Sequence, residues 1–328
     1  MAITTQNYSD MTANITVQWA KGFDSVEKAA RQIYAVRGTN LLTGAISSLD
    51  GFTTAKRKNE GDDFPYLTLT QNYRKTWTNQ TIGGMEKITW EMRKYDKYDE
   101  ISRAFRNLGV GAAKKLEKDL THRLTYCTAT SYTDNGGNAI TTTTGDGLAL
   151  ASTVHTVPGS STTYRSRVAN NPVFSKGGLE AAERLLANMI DDNGELSPRT
   201  GTHIAVSQQS PNTVNTAMEY LKSVSDPTVS NSGVINVYNG KYQLIILPYL
   251  ATTASTDAAN SSFETYWFLL DLSEENKRGF LYVAEEPKLV PQDSDFETQD
   301  WKYATIAAYA IEWLDGKNLI FSSGDGSA

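Results

Sequence analysis

ISRAFRNLGVGAAKKLEKDLTHRL, residues 101–124, places Ile101, Phe105, Leu108, Ala112, Leu116, Leu120 and Leu124 at steps of three and four, with Arg103, Arg106, Lys114, Lys115, Glu117 and Lys118 on the other faces. That period predicts one long amphipathic helix. Near the other end, WKYATIAAYAIEWL, residues 301–314, alternates instead: Trp301, Tyr303, Thr305, Ala307, Tyr309, Ile311 and Trp313 share one side. A period of two held that long predicts a single long strand. A helix of about 30 residues spans roughly 45 Å, and about 14 strand residues span much the same length. The two can therefore pack lengthwise, and a strut of that length suits a flat, elongated subunit better than a compact enzyme core.

The 328 residues can bury a substantial core and divide into two or three lobes. No apolar run approaches the roughly 20 residues of a membrane helix, and Met1 to Asp10 is neither basic nor apolar, so we expect no secretion signal and no membrane anchor. The single cysteine, Cys127, cannot form an internal disulfide and has no partner thiols for a zinc site. A net charge of −6 argues against a dedicated nucleic-acid reader, though not against a container that must avoid gripping its contents.

Outward from the helix, residues 1 to about 22 read as an extended arm. A short helix follows, capped by Asp24 with Glu27 three residues on, its stripe formed by Val26, Ala30, Ile33 and Tyr34, and ended by Gly38. Residues 64–93 read as a projecting hairpin, with Tyr66 to Trp77 as one arm, Thr78 to Gly84 as the turn, and Ile88, Trp90 and Met92 on one face of the other arm. An isolated two-stranded hairpin is marginal in water, so this one lies either on its own body or on a neighbour. Removing residues 66–90 is then expected to leave a folded subunit.

Beyond two polar stretches, 131–147 and 158–171, a compact α/β lobe is predicted. Ser175 caps a helix bearing Leu179, Ala182, Leu185, Leu186 and Met189; His203 to Ser207 is a strand; Ser210-Pro211 opens a second helix. Strands at 234–238 and 242–247 flank the turn signal Asn239-Gly240, and two more lie at 264–271 and 280–284. A loop from Glu285 to Asp300 leads into the long strand, which turns at Asp315-Gly316 into a short partner, Lys317 to Ser322.

Catalytic constellations fail one at a time. The phosphate loop, the His-Glu-x-x-His motif, the nucleophile elbow and the dinucleotide fingerprint are all missing. Asp191-Asp192-Asn193-Gly194 looks like a calcium loop, but Met189 stands at the first ligand position and Thr200 where the closing Glu belongs, which leaves a turn. No metal site and no cofactor are expected. His155, nine residues after Asp146 and near several serines, permits a hydrolase triad, and Glu274-Glu275 or Glu285-Glu286 permit glycoside hydrolysis; a structural histidine and solvated surface are the commoner outcomes. The tyrosines and tryptophans suit a contact surface, a core or a sugar cleft.

Several stretches, in this order, resemble a known family. They are Lys87-Ile-Thr-Trp-Glu-Met-Arg running into Tyr95-Asp-Lys-Tyr-Asp-Glu-Ile, Leu108-Gly-Val-Gly-Ala-Ala-Lys-Lys-Leu-Glu, Gly145-Asp-Gly-Leu-Ala-Leu-Ala-Ser-Thr-Val-His, Asn170-Asn, Leu179 to Met189 followed by Asp192-Asn-Gly-Glu-Leu, and Gly240-Lys-Tyr-Gln-Leu-Ile-Ile-Leu-Pro. Over about residues 20–325 the chain resembles the major capsid proteins of tailed bacteriophages, the major-head-subunit branch.

The resemblance implies an α+β, HK-97-like fold: an N-terminal arm at 1–40, an extended loop at 41–95, a peripheral domain from 96–145 and 290–328, and an axial domain at 146–289. It implies a virion protein, assembled in the host bacterial cytoplasm, whose pentamers and hexamers close into an icosahedral head around double-stranded DNA held by non-specific contacts. Portal and separate scaffolding or decoration proteins would be its partners, with no membrane involved. Tyr73, Trp77, Trp90 and Met92 are the expected intersubunit packing residues, and Arg74, Lys75 and Glu86 the rim contacts. Lys75 and Lys87 lie on the hairpin, but no partner asparagine can be placed, so no crosslink is expected. A nanocompartment shell of the same fold, a hydrolase using His155 and a monomeric sugar-binding protein are the competing readings.

Overall fold

The long helix and the long strand lie side by side and run in the same direction. The computed structural model describes residues 5–67, 69–95, 98–227, 234–294 and 297–326. In chain order these form α1 (Thr5–Asp24), β1 (Ala35–Gly38), β2 (Thr43–Ile46), β3 (Leu49–Phe52), β4 (Leu69–Gln71), β5 (Lys75–Thr78), β6 (Gln80–Ile88), α2 (Trp90–Lys94) and α3 (Tyr98–Thr125). There follow β7 (Ser131–Thr133), β8 (Ala139–Thr141), β9 (His155–Val157), β10 (Ser160–Tyr164), α4 (Lys176–Ala187), β11 (His203–Ser207), α5 (Pro211–Lys222), β12 (Gln243–Leu247), β13 (Trp267–Leu270), β14 (Gly279–Ser294), β15 (Trp301–Trp313) and β16 (Leu319–Ser322).

One four-stranded sheet has the order β1-β14-β15-β6 and carries α3 along its face. The Phe105 and Tyr303 rings meet edge-on at 4.9 Å, and the Tyr309 hydroxyl donates to Asp119 at 2.8 Å. Fourteen helical residues and six strand residues each advance about 20 Å, which is why both contacts hold at once. The odd-numbered residues Trp301 to Trp313 face the helix; among them Thr305 is buried as a polar residue and donates to Lys288 O.

A second sheet, β12-β11-β13-β16, is covered on both faces. Trp267, Leu269 and Ile320 face α4 and α5, whereas Phe268, Leu270, Leu319 and Phe321 face the core shared with α3. This double cover is why these strands read as continuous apolar runs. Ser175 caps α4 by accepting from Gly178 N at 3.2 Å, and Pro211 starts α5.

Several expectations are corrected. The described part of the amino-terminal segment is helical, not extended: Ile15 and Trp19 of α1 are buried, and α1 lies against α3. The crossing is tight enough that a Cβ at Gly22 would lie 2.0 Å from Arg106 O, and one at Gly109 2.1 Å from Trp19 O. Asp24 is consequently the last residue of α1, and the predicted following helix shrinks to a 3₁₀ turn, Ala30–Ile33.

The hairpin forms further upstream. Its arms are β2-β3 and β4-β5, paired β2 with β5 and β3 with β4, so the chain reverses between 53 and 67. The segment expected to be the second arm is β6, which joins the sheet through β15 from Trp301↔Ile88 to Tyr309↔Gln80, and Trp90 and Met92 belong to α2. Strand β14 runs to Ser294 where a loop was expected, because β15 offers it a long ladder. Pro287 and Pro291 both fall at shifts in register, where a missing N–H is tolerated. β16 pairs with β13 in the second sheet and not with β15. Residues 237–241 form turns, and the predicted 234–238 strand is reduced to a single bridge, Ser225↔Ile235.

Candidate functional site

Among the described residues, the hairpin concentrates exposed apolar side chains. Phe64 is 81% exposed and Tyr66 99%, and Leu41, Leu42, Leu49, Leu67 and Leu69 are exposed along the same segment. The tip is charge-segregated, with Lys56, Arg57 and Lys58 before Glu60, Asp62 and Asp63. Exposed apolar clusters of this kind mark contact surfaces. Sequence reading missed the tip because it placed the reversal at 78–84; the signal was Phe64-Pro-Tyr-Leu directly after two charge clusters of opposite sign.

The seven residues expected at the contact lie in different surroundings. Trp77 is buried, stacked on Tyr282 at 4.4 Å and packed with Ile46, Phe280 and Leu314, so it has no surface to offer a neighbour. Lys75 Nζ donates to Thr143 O at 2.7 Å and lies 3.6 Å from Glu312. The Tyr73 hydroxyl shares a 3.1 Å hydrogen bond with Thr156, and Met92 packs on Ile88, Ile101 and Phe105. Glu86 is half-buried on β6, while Arg74 and Trp90 are exposed, the latter with Lys94 Nζ 4.3 Å from its ring. Trp19, Trp77, Trp267, Trp301 and Trp313 are all buried, so the tryptophans mainly fill cores.

Where the paired arms end and the tip of the hairpin begins, the hairpin is gripped by the loop Asp191–Glu195. Thr54 N donates to both Glu195 oxygens, at 3.1 and 3.0 Å, and the Thr54 hydroxyl also donates to that carboxylate. These bonds hold the Glu195 carboxyl below the usual range. Thr70 Oγ1 donates to Asn193 Oδ1 at 2.6 Å. Further along, Asn72 Nδ2 donates to buried Asp315 at 3.0 Å. The sequence of this loop signals only a turn.

Between α3, the β7-β8 hairpin and β15 lies a polar cavity of about 730 Å³, lined by Lys75, Asp119, Arg123 and Glu312 among others. Burial raises the carboxyls of Asp119 and Glu312 and lowers His122 to about 4. Its charges are answered internally: Lys115 pairs with Asp119 at 2.8 Å, Lys118 with Asp257 at 3.0 Å, and Arg123 donates to Thr141 O.

The hydrolase reading receives a geometrical test. Asp146, His155 and Ser166 do come together: His155 Nδ1 is 2.8 Å from Asp146 Oδ2, and Nε2 is 3.0 Å from Ser166 Oγ. Yet His155 and Ser166 are fully buried, Tyr164 stacks on the imidazole at 4.8 Å, and the serine hydroxyl donates to Leu150 O at 2.7 Å. A nucleophile needs room for a substrate carbonyl about 3 Å away, and here that position is filled by protein; the trio is a buried structural network. Of the paired carboxylates, Glu274 is answered by Lys277, Glu285 by Lys288 and Glu286 by Arg31. Among the described residues no cluster of histidine, cysteine and carboxylate side chains could hold a metal ion, and no helix is long and apolar enough to cross a membrane.

Solved structures with this architecture include the capsid of Myoviridae phage XM1, with a TM-score of 0.50 at 11% identity over 89% of this chain and 90% of that one. Gordonia phage Cozz gives 0.52 at 10% identity over 90% and 85%, and the capsid of an empty GTA particle 0.50 at 9% over 90% of each. At these identities the likeness is one of fold, a mixed α+β fold shared with capsid structures. No match is found among curated proteins. The sequence itself matches the phage capsid protein family over residues 73–319, and since that span is well over half of its length, the chain belongs to that family.

Proposed function

We propose that this chain assembles into pentamers and hexamers that close as an icosahedral head around double-stranded DNA. The family is structural, so the protein is a component of the virion capsid and not an enzyme. The observation that carries the finer reading is the hairpin tip: a stable monomer does not leave Phe64 and Tyr66 this exposed on one projection, whereas a strap covered by the next subunit does. Arg74, Glu86 and Trp90 join the tip as contact residues.

The division into an arm at 1–40, an extended loop at 41–95, a peripheral domain from 96–145 and 290–328, and an axial domain at 146–289 is kept, with β16 assigned to the axial sheet. Val224, Ile235 and Val237 of the axial domain are exposed aliphatics. Between 223 and 240 the one charged residue is Asp226, which pairs with Lys176 at 2.7 Å. A surface that meets copies of itself around a rotation axis repeats every charge at close range, so this charge-poor stretch of sequence suits the five-fold and six-fold centres. The net charge of −6 suits a wall that contacts DNA non-specifically without gripping it. Portal and separate scaffolding or decoration proteins complete the proposed partner set.

The test is expression followed by size-exclusion chromatography and negative-stain microscopy of the intact chain and of a variant lacking residues 56–66. The intact chain should form rings or shells and the variant should stay folded and unassembled. Normal shells from the variant, or a rounded monomer from the intact chain under every condition, would sink the reading. The longer deletion of 66–90 is now expected to unfold the subunit, because it removes β6 and the buried Trp77 and Ile88.

A further inference from the structure

The loop Asp191–Glu195 is rigid and anchored from beneath. Asp191 Oδ1 accepts from Asn193 N and from Glu195 N, each at 2.9 Å, which closes the loop on itself. Gly194 sits at φ +83, and a Cβ there would lie 2.4 Å from Ser160. Below, Asp192 and Lys317 form a fully buried ion pair at 2.5 Å, and Asp192 O accepts from Gly159 N at 3.0 Å. Above, the same five residues hold both arms of the hairpin, Thr54 on the outgoing arm through Glu195 and Thr70 on the returning arm through Asn193.

From this arrangement we infer that the loop is a clasp that sets the angle at which the hairpin leaves its own subunit, with Glu195 as a positioning residue for the intersubunit contact. The inference rests on the reading of the hairpin as a strap. At about 3.3 Å per residue, Glu60 can stand about 20 Å beyond Thr54, so a swing of roughly 10° at the clasp moves the tip by about 3 Å. Protein contacts are lost over displacements of that size. A strap aimed before it meets its neighbour also loses less entropy on docking than a free one. The particle geometry is therefore partly written inside each subunit.

The experiment compares the full-length protein with Glu195→Ala, Glu195→Gln, Glu195→Asp and Asn193→Ala. Amide hydrogen exchange of residues 53–71 is measured on unassembled subunits, and particle size by negative stain after assembly. Glu195→Ala should speed exchange at Thr54 about tenfold with an unchanged melting temperature and yield particles of mixed size. Glu195→Gln, which keeps an acceptor at the same reach, should restore both; Glu195→Asp, one methylene shorter, should not. Asn193→Ala should loosen the returning arm alone, and it keeps the test open if a Glu195 variant folds poorly. Unchanged exchange in both alanine variants, or faster exchange with uniform particles, overturns the clasp. If the unmodified chain forms no particles, the shell reading fails instead, and the exchange data still decide whether the loop holds the hairpin.

Discussion

Glu117, on the long helix, accepts the backbone N–H of Ala30 at 2.5 Å and so fastens the segment between α1 and β1 to the strut. The carboxyl is almost wholly buried, which raises it to about 7 despite the N–H groups of Ala30 and Ala29 and nearby Lys28, with Glu27 adding to the rise. Because the folded value lies above the unfolded one, the folded state holds the proton more tightly between about 4.5 and about 7. Stability from this group is full below that window and is lost as pH rises through it, by up to about 3 kcal/mol. Because His122, lowered to about 4 by burial, gains stability over part of the same window, the decline is read as the difference between thermal melts of the unmodified subunit and of Glu117→Gln from pH 5 to 8. The variant, which keeps the acceptor without the charge, should gain on its parent as pH rises.

Trp77 and Trp90 should separate core from surface. Trp77→Ala removes a buried ring stacked on Tyr282 at 4.4 Å, and loss of such a side chain costs about 3–5 kcal/mol. Trp90 is 40% exposed, so Trp90→Ala should cost less than about 1 kcal/mol. Urea unfolding measures both; equal costs would contradict the placement.

The α1–α3 crossing should not tolerate a methyl group. Gly109→Ala ordinarily favours a helix by about 1 kcal/mol, but here its Cβ would lie 2.1 Å from Trp19 O and the helices must separate. Trypsin should then cut at Lys21 or Lys28 well before the rest of the subunit, while the unmodified protein resists.

Lys317 and Asp192 are 1% and 0% exposed and paired at 2.5 Å. Lys317→Met leaves a buried carboxylate without this partner, at a cost of about 3–5 kcal/mol, and the double variant with Asp192→Asn should recover part of it. A double variant as unstable as the sum of the two single ones would show that the pair is not coupled.

Legibility from sequence followed the length of the repeating pattern. Ile101 to Leu124 and Trp301 to Trp313 each repeat often enough that one face is unambiguous, and Ser175 and Pro211 mark helix starts through chemistry confined to one turn. Glu117 was placed on an outer face because its burial depends on Ala30, 87 positions away. The hairpin was placed some 20 residues late, since residues 43–46 carry little alternation and their pairing with Lys75–Thr78 joins segments about 30 residues apart. The clasp had no legible signal: Asn193 and Glu195 acquire their role from Thr70 and Thr54, more than 100 residues distant.

By itself, then, the order of residues determined the strut, its matching strand and the compact α/β lobe, because periodic burial is a local property of the chain. Only the tertiary structure decided which strands pair, that α1 is helical, that Trp77 belongs to a core and that the hairpin is held at the root of its tip. Those outcomes depend on contacts between distant segments, where backbone donors and acceptors are alike at every residue and partner choice is settled by what else must be buried at the same time.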